Sequence, residues 1–258
     1  MGFGNGHPTL INNQLADVIC QLRFPEISAI GAEPPEQFRS MVADLYPNYT
    51  VHKEVLPPKI SGNNGQLNIS TPPAVYNHQF TSSDGNWRIN MTNGFFSIAC
   101  TRYDRWESFA NRLDKPLALF IQLYRPASFT RVGLRYLNFI SRKQLSLEGV
   151  PFRELIDPAY LGYLGKEGVE EQGVLQSTVD TQFALSGGCL AKIHAGPGMT
   201  AVAGQKDPEV KFVLDLDFFM NGNIPVNVSV GALQTLHSQA FPVFRGAVTD
   251  KLMNALKG

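Results

Sequence analysis

The chain has 258 residues, 43% of them hydrophobic and 17% charged, which describes a folded globular protein and excludes a disordered one. Lys plus Arg and Asp plus Glu each number 22, so the basic excess of proteins that wrap duplex nucleic acid is missing. No apolar run approaches the ~20 residues that span a bilayer, and MGFGNGHPTL has neither the charged nor the apolar region of a secretion signal.

Residues 1–14 read as a flexible lead-in. From Ala16 to Phe24 apolar and polar residues alternate, the pattern of a half-buried strand, and Pro25 ends it. Glu33-Pro34-Pro35 opens a helix carrying Phe38, Met41, Val42 and Leu45, which Pro47 stops. Residues 48–80 are weakly patterned and read as one or two edge strands joined by a mobile loop. Residues 76–103 form a meander of three strands, with turns at Asp84-Gly85 and Asn93-Gly94.

Asp104-Arg105-Trp106-Glu107 has the D-x-x-E form of a capping box. It starts a helix whose stripe runs Trp106, Phe109, Leu113, Leu117, Phe120, Ile121 and Tyr124, kinked at Pro116 and ended by Arg125-Pro126. Next comes Phe129–Ser141, FTRVGLRYLNFIS, the longest segment of strong strand character. Val132, Leu134, Tyr136 and Ile140 share its apolar face, and Arg131 and Arg135 share the other. It reads as a central strand of an antiparallel sheet.

Residues 150–164 read as a short helix or two turns, and 166–173 as a polar loop. Residues 178–185 and 190–194 pair as a hairpin around Ser186-Gly187-Gly188, and the glycine-rich 196–208 reads as a mobile loop. Val210, Phe212, Leu214, Leu216 and Phe218 form one face of a strand whose other face carries Asp215 and Asp217. A final helix from about Ser229 bends at Pro242 and Gly246 and continues through Leu256. The fold class is therefore α+β: mostly antiparallel sheet with long amphipathic helices packed on one face. Both halves, 15–128 and 129–258, follow the order strand, short helix, meander and long proline-bent helix. That order suggests a tandem duplication within one compact unit.

Four residues stand out as ligand-binding candidates. Arg131 and Arg135 offer guanidiniums for an anion, although a cross-strand ion-pair cluster with Asp215 and Asp217 explains the same pattern. Two aspartates alone make a poor site for a hard cation. His194 ends a strand beside HAGPGMTAVAG, which matches neither a Walker loop nor a dinucleotide fingerprint. His237 sits on the apolar stripe of the last helix, as a packed histidine or a base. Arg102, Tyr103 and Arg105 beside Trp106 could stack single-stranded nucleic acid, but Trp106 fits better as the first core residue of its helix. His7, His52 and His78 have no partner legible in the sequence.

Cys20, Cys100 and Cys189 are isolated and odd in number, as expected of reduced thiols in a cytoplasmic protein. There is no zinc spacing, nucleophile elbow or kinase motif, so no metal, cofactor or catalytic residue is expected.

The stretches ADVICQLRF, NWRINMTNGFFSIACTRYDRWESF, FTRVGLRYLNFI and FVLDLDFF, with the late Leu236-His237 helix, resemble a sporadically distributed bacterial family of conserved hypothetical proteins. The resemblance covers nearly the full chain and supplies no activity. Patchy distribution of this kind implies a defence or toxin-neutralising cassette. The expected function is that of a non-enzymatic cytoplasmic module that binds a protein partner. The alternative is a nucleotide- or RNA-binding sensor or enzyme with an arginine-lined anion site.

Overall fold

In the computed structural model, residues 10–55, 57, 59–63, 66–202 and 205–258 are described. Its centre is the pairing of β1 (Leu15–Arg23) with β8 (Phe129–Ile140), antiparallel, in the register Val18 to Tyr136, Cys20 to Leu134 and Leu22 to Val132. All six of those side chains are buried. The register follows from the alternation, because a slip of one residue would turn the whole apolar set to the other face. Leu134 and Tyr136 in turn oppose Phe218 and Leu216 of β11 (Gln205–Ile224), which continues the layer.

Outward from this pair, β1 is followed by β7 (Phe95–Cys100), β6 (Trp87–Met91), β5 (Val75–Thr81) and β2 (Asn48–Glu54). Beyond β11 come β10 (Leu190–Val202) and β9 (Val179–Ala184). The order is β2-β5-β6-β7-β1-β8-β11-β10-β9, and every neighbouring pair in it is antiparallel. The sheet is thus the antiparallel α+β sheet expected from the strand patterns. Separately, β3 (Lys59–Asn63) and β4 (Gln66–Ser70) form a two-stranded hairpin within the segment read as a loop.

The helices are α1 (Glu36–Val42), α2 (Trp106–Tyr124), α3 (Ser229–Ala247) and α4 (Asp250–Lys257). The rings of Phe24 and Phe96 each lie 5.0 Å from Phe120 of α2, and Phe38 of α1 meets Phe80 at 5.2 Å. Burying each such ring contributes about 1.5–3 kcal/mol. α3 packs against β8 and β11.

Three expectations need correction. The capping box does not form: Arg105 occupies the N-cap of α2 and its side chain caps no backbone N–H, while Asp104 accepts from Ser108 Oγ at 3.4 Å. The final helix is two helices. α3 runs through Pro242 to Ala247, then Val248 turns extended and Thr249 caps α4 by accepting from the Leu252 N–H. Of the two readings of residues 150–164, the structure takes the turns, as 3-10 turns at 152–154, 158–160 and 162–165. The glycine-rich 196–208 is largely strand, because β10 runs to Val202 and β11 starts at Gln205. Gly196 is needed there, since a Cβ on it would sit 2.3 Å from the Ser177 carbonyl oxygen.

Of the lead-in, residues 1–9 lie outside the described residues. Residues 10–14 run against α4, where the Asn12 N–H donates to the Leu256 carbonyl at 3.0 Å.

Candidate functional site

The arginines proved to be occupied. Arg131 Nη2 donates to both carboxylate oxygens of Asp217 at 2.7 and 2.8 Å, and Arg135 donates to Asp215 through Nε and Nη2 at 2.7 and 2.5 Å. The bonds run diagonally, since Asp217 stands opposite Arg135 in the register. To reach it, the Arg131 guanidinium lies across Gly133 and 4.6 Å from the Phe219 ring centroid. These four residues are the cross-strand cluster that the spacing allowed, and the guanidiniums are spent on aspartates. Asp17 shares this face beside Arg88 at 3.7 Å, and its Oδ1 is buried without a hydrogen bond. Burial pushes its carboxyl pKa up, against the pull of Arg88 and Arg135.

His194 pairs at the surface with Asp180, Nδ1 to Oδ1 at 3.0 Å, one strand over on β9. His78 is fully buried and bridges Tyr49 Oη at 2.8 Å and the Gly31 carbonyl at 2.9 Å. His52 reaches only Thr50 Oγ1, at 3.4 Å, on the exposed edge strand, and His7 lies outside the described residues.

His237 is the candidate that the fold places in a cavity. Helical spacing puts His237, Ala240, Phe241 and Phe244 on one side of α3, and alternation puts Tyr136 and Asn138 on one face of β8. Between them and the first turn of α2 lies a cavity of about 270 Å³. Leu216 of β11, Tyr103 and the 10–15 segment complete its wall. Its volume is near the lower end of the about 300–1,000 Å³ typical of small-molecule sites. The His237 ring stacks on Trp106, with centroids 4.5 Å apart and planes 9° apart. Its Nδ1 is 2.8 Å from Tyr136 Oη, and Tyr136 is also hydrogen-bonded to Tyr103.

Burial pushes the pKa of both Tyr103 and Tyr136 up, so both hydroxyls stay protonated and act as hydrogen-bonding groups, not as bases. Among the described residues no serine, threonine or cysteine lines the cavity, and its ionisable groups are Asp104, Arg105, Glu107, His237 and the two tyrosines. Nearby Cys20 is fully buried, with its thiol pushed up to about 12 by burial. Among the described residues no group of three or more His, Cys, Asp or Glu could hold a metal ion, and no helix is long and apolar enough to cross a membrane.

Tyr136 was legible only as a core residue and Asn138 was not singled out. The available signal was two polar-tipped side chains at alternate positions on the apolar face of a central strand. Compared with known proteins, the sequence matches no family model and no curated protein.

Proposed function

We propose that this protein is a non-enzymatic cytoplasmic binding module that recognises its target by admitting a planar group into the cavity between α2, β8 and α3. The observation that carries this reading is the cavity itself, an aromatic-walled space with polar groups converging on it. The protonated tyrosines act there as hydrogen-bonding groups, which suits recognition. The alternative, an arginine-lined anion site, loses its support because Arg131 and Arg135 already carry carboxylates. Three buried free cysteines support a reducing compartment. A partner protein presenting an aromatic side chain and a free planar molecule offer the cavity the same chemistry. The resemblance to a patchily distributed family keeps a partner in a defence cassette within the proposal.

The finer architecture belongs to this proposal. We infer that α2 and α3 lie on one face of the sheet, since Trp106 of α2 stacks on His237 of α3 and Tyr136 of β8 bonds to the same ring. A tandem duplication is supported by the strand order. β7 precedes α2 and flanks β1, just as β11 precedes α3 and flanks β8.

The test is a thermal-shift screen with two arms, planar small molecules and short peptides carrying Trp, Tyr or Phe. The control is Ala240→Trp, which fills the cavity. A true ligand stabilises the wild-type protein by about 2.7 kcal/mol at a hundredfold excess over Kd, and the filled variant does not respond. If no member of either arm stabilises the wild-type protein, the reading fails.

A further inference from the structure

Two polar atoms in the cavity define what a planar guest must carry. Asn138 is 4% exposed, and its Nδ2 donates to the Leu214 carbonyl at 3.1 Å. A backbone carbonyl only accepts, so this bond fixes the orientation of the amide. The remaining atom, Oδ1, has no hydrogen-bond partner among the described residues, on a side chain that lines the cavity. By the same reasoning the Trp106 Nε1–H, on a side chain 7% exposed, is a donor without a protein acceptor among the described residues. Both atoms are open to water in the free protein, so a guest that bonds them exchanges one partner for another, whereas a guest that covers them without bonding leaves them unmade at a desolvation penalty. The mouth limits the guest's charge. Asp104 and Glu107 stand there against the single cation Arg105, which lies 3.6 Å from Asp104.

Building on the binding reading above, we propose that the cavity takes an uncharged planar heteroaromatic of the nucleobase class. Such a ring presents an N–H to Asn138 Oδ1 and a ring nitrogen or carbonyl to the Trp106 N–H, with its faces against the apolar wall. Hydrocarbon rings of the same size would satisfy neither atom, and a phosphate-bearing nucleotide would bring negative charge to an acidic mouth.

Isothermal titration of the full chain with adenine, hypoxanthine and uracil tests this, alongside indene as the hydrocarbon and AMP as the charged arm. The expected result is binding of at least one base, about tenfold or more tighter than indene and tighter than AMP, and about tenfold weaker in Trp106→Phe. Phenylalanine keeps an aromatic ring beside His237 and removes the N–H donor together with one ring of the indole; indene binding measured in the same variant separates the loss of the donor from the loss of ring area. Ala240→Phe, which narrows the cavity without touching either polar atom, should abolish base binding and serves if Trp106→Phe does not fold. Indene or an aromatic peptide binding as tightly as every base, or AMP binding tighter than adenine, would overturn the ligand class and leave the binding reading standing. Binding of no probe at all would overturn both.

Discussion

Replacing Gly133 with alanine tests the cross-strand cluster through a residue that has no side chain of its own. The three heavy atoms nearest an added Cβ all belong to the Arg131 guanidinium: Nη1 at 2.1 Å, Cζ at 2.8 Å and Nη2 at 3.0 Å. The backbone need not move, because a flexible side chain can leave, but leaving breaks both bonds to Asp217 and the contact with Phe219. Hydrogen bonds between charged groups contribute about 1.5–3 kcal/mol, and a cation over a ring about 0.5–1 kcal/mol at a partly exposed site. Asp217 and Arg131 keep 28% and 16% of their side-chain exposure, which discounts the first figure toward its lower end. Alanine in a strand returns about 0.5–1 kcal/mol relative to glycine. The balance is a loss of about 1–2 kcal/mol, or a drop in Tm of roughly 2–8 °C for a chain of this size. Urea unfolding of Gly133→Ala, alone and in an Arg131→Ala background, measures it. With the guanidinium gone, the alanine should cost nothing or stabilise; an equal loss in both backgrounds would refute the account.

Three further outcomes follow from the geometry. Asp17 has a raised folded-state pKa, so its ionised form opposes folding. The penalty is absent below the unfolded carboxylate pKa and grows as pH rises toward the folded value. Asp17→Asn should therefore gain stability over wild type between about pH 4 and pH 7, and a gain independent of pH would contradict this. Tyr136→Phe removes the hydroxyl shared by His237 and Tyr103 and should cost about 1–3 kcal/mol, with a shift in the His237 ring-nitrogen resonances. The native protein should resist thiol reagents at mildly alkaline pH, because Cys20, Cys100 and Cys189 are all buried and burial pushes the first two thiols to about 12 and about 11. Full reaction of all three under denaturing conditions completes the comparison.

Elements that announce themselves through local chemistry were readable in the sequence, and elements decided by distant packing were not. The strand β1, the Asn93-Gly94 turn, the stripe of α2 and the central position of β8 all come from period-two or period-3.6 spacing within a few residues. The extension of β10 and β11 through a glycine-rich segment was hidden, because the close approach of Ser177 to Gly196 is a tertiary event. The break between α3 and α4 was equally hidden. There the Thr249 hydroxyl donates to the Glu154 carbonyl at 2.8 Å, a bond to a residue far away in the chain. At the site, a histidine on an apolar stripe was visible, but its companions Tyr136 and Trp106 had ordinary core explanations. Only the fold brings the three rings together.

The pairing of β1 with β8 also governs how this chain can be made. β1 ends at Arg23 and β8 begins at Phe129, so β1 waits for its second neighbour until the residues between them have emerged. During that interval β2, β5, β6 and β7 can assemble on one side of β1, while the backbone donors and acceptors on its other side remain an open edge. Pairing strands this distant in sequence is slow, because the entropy of closing the intervening chain must be spent before the contacts form. Nascent chains stalled before residue 129 should therefore associate with one another through β1 or recruit a chaperone, and completion of β8 should end that hazard.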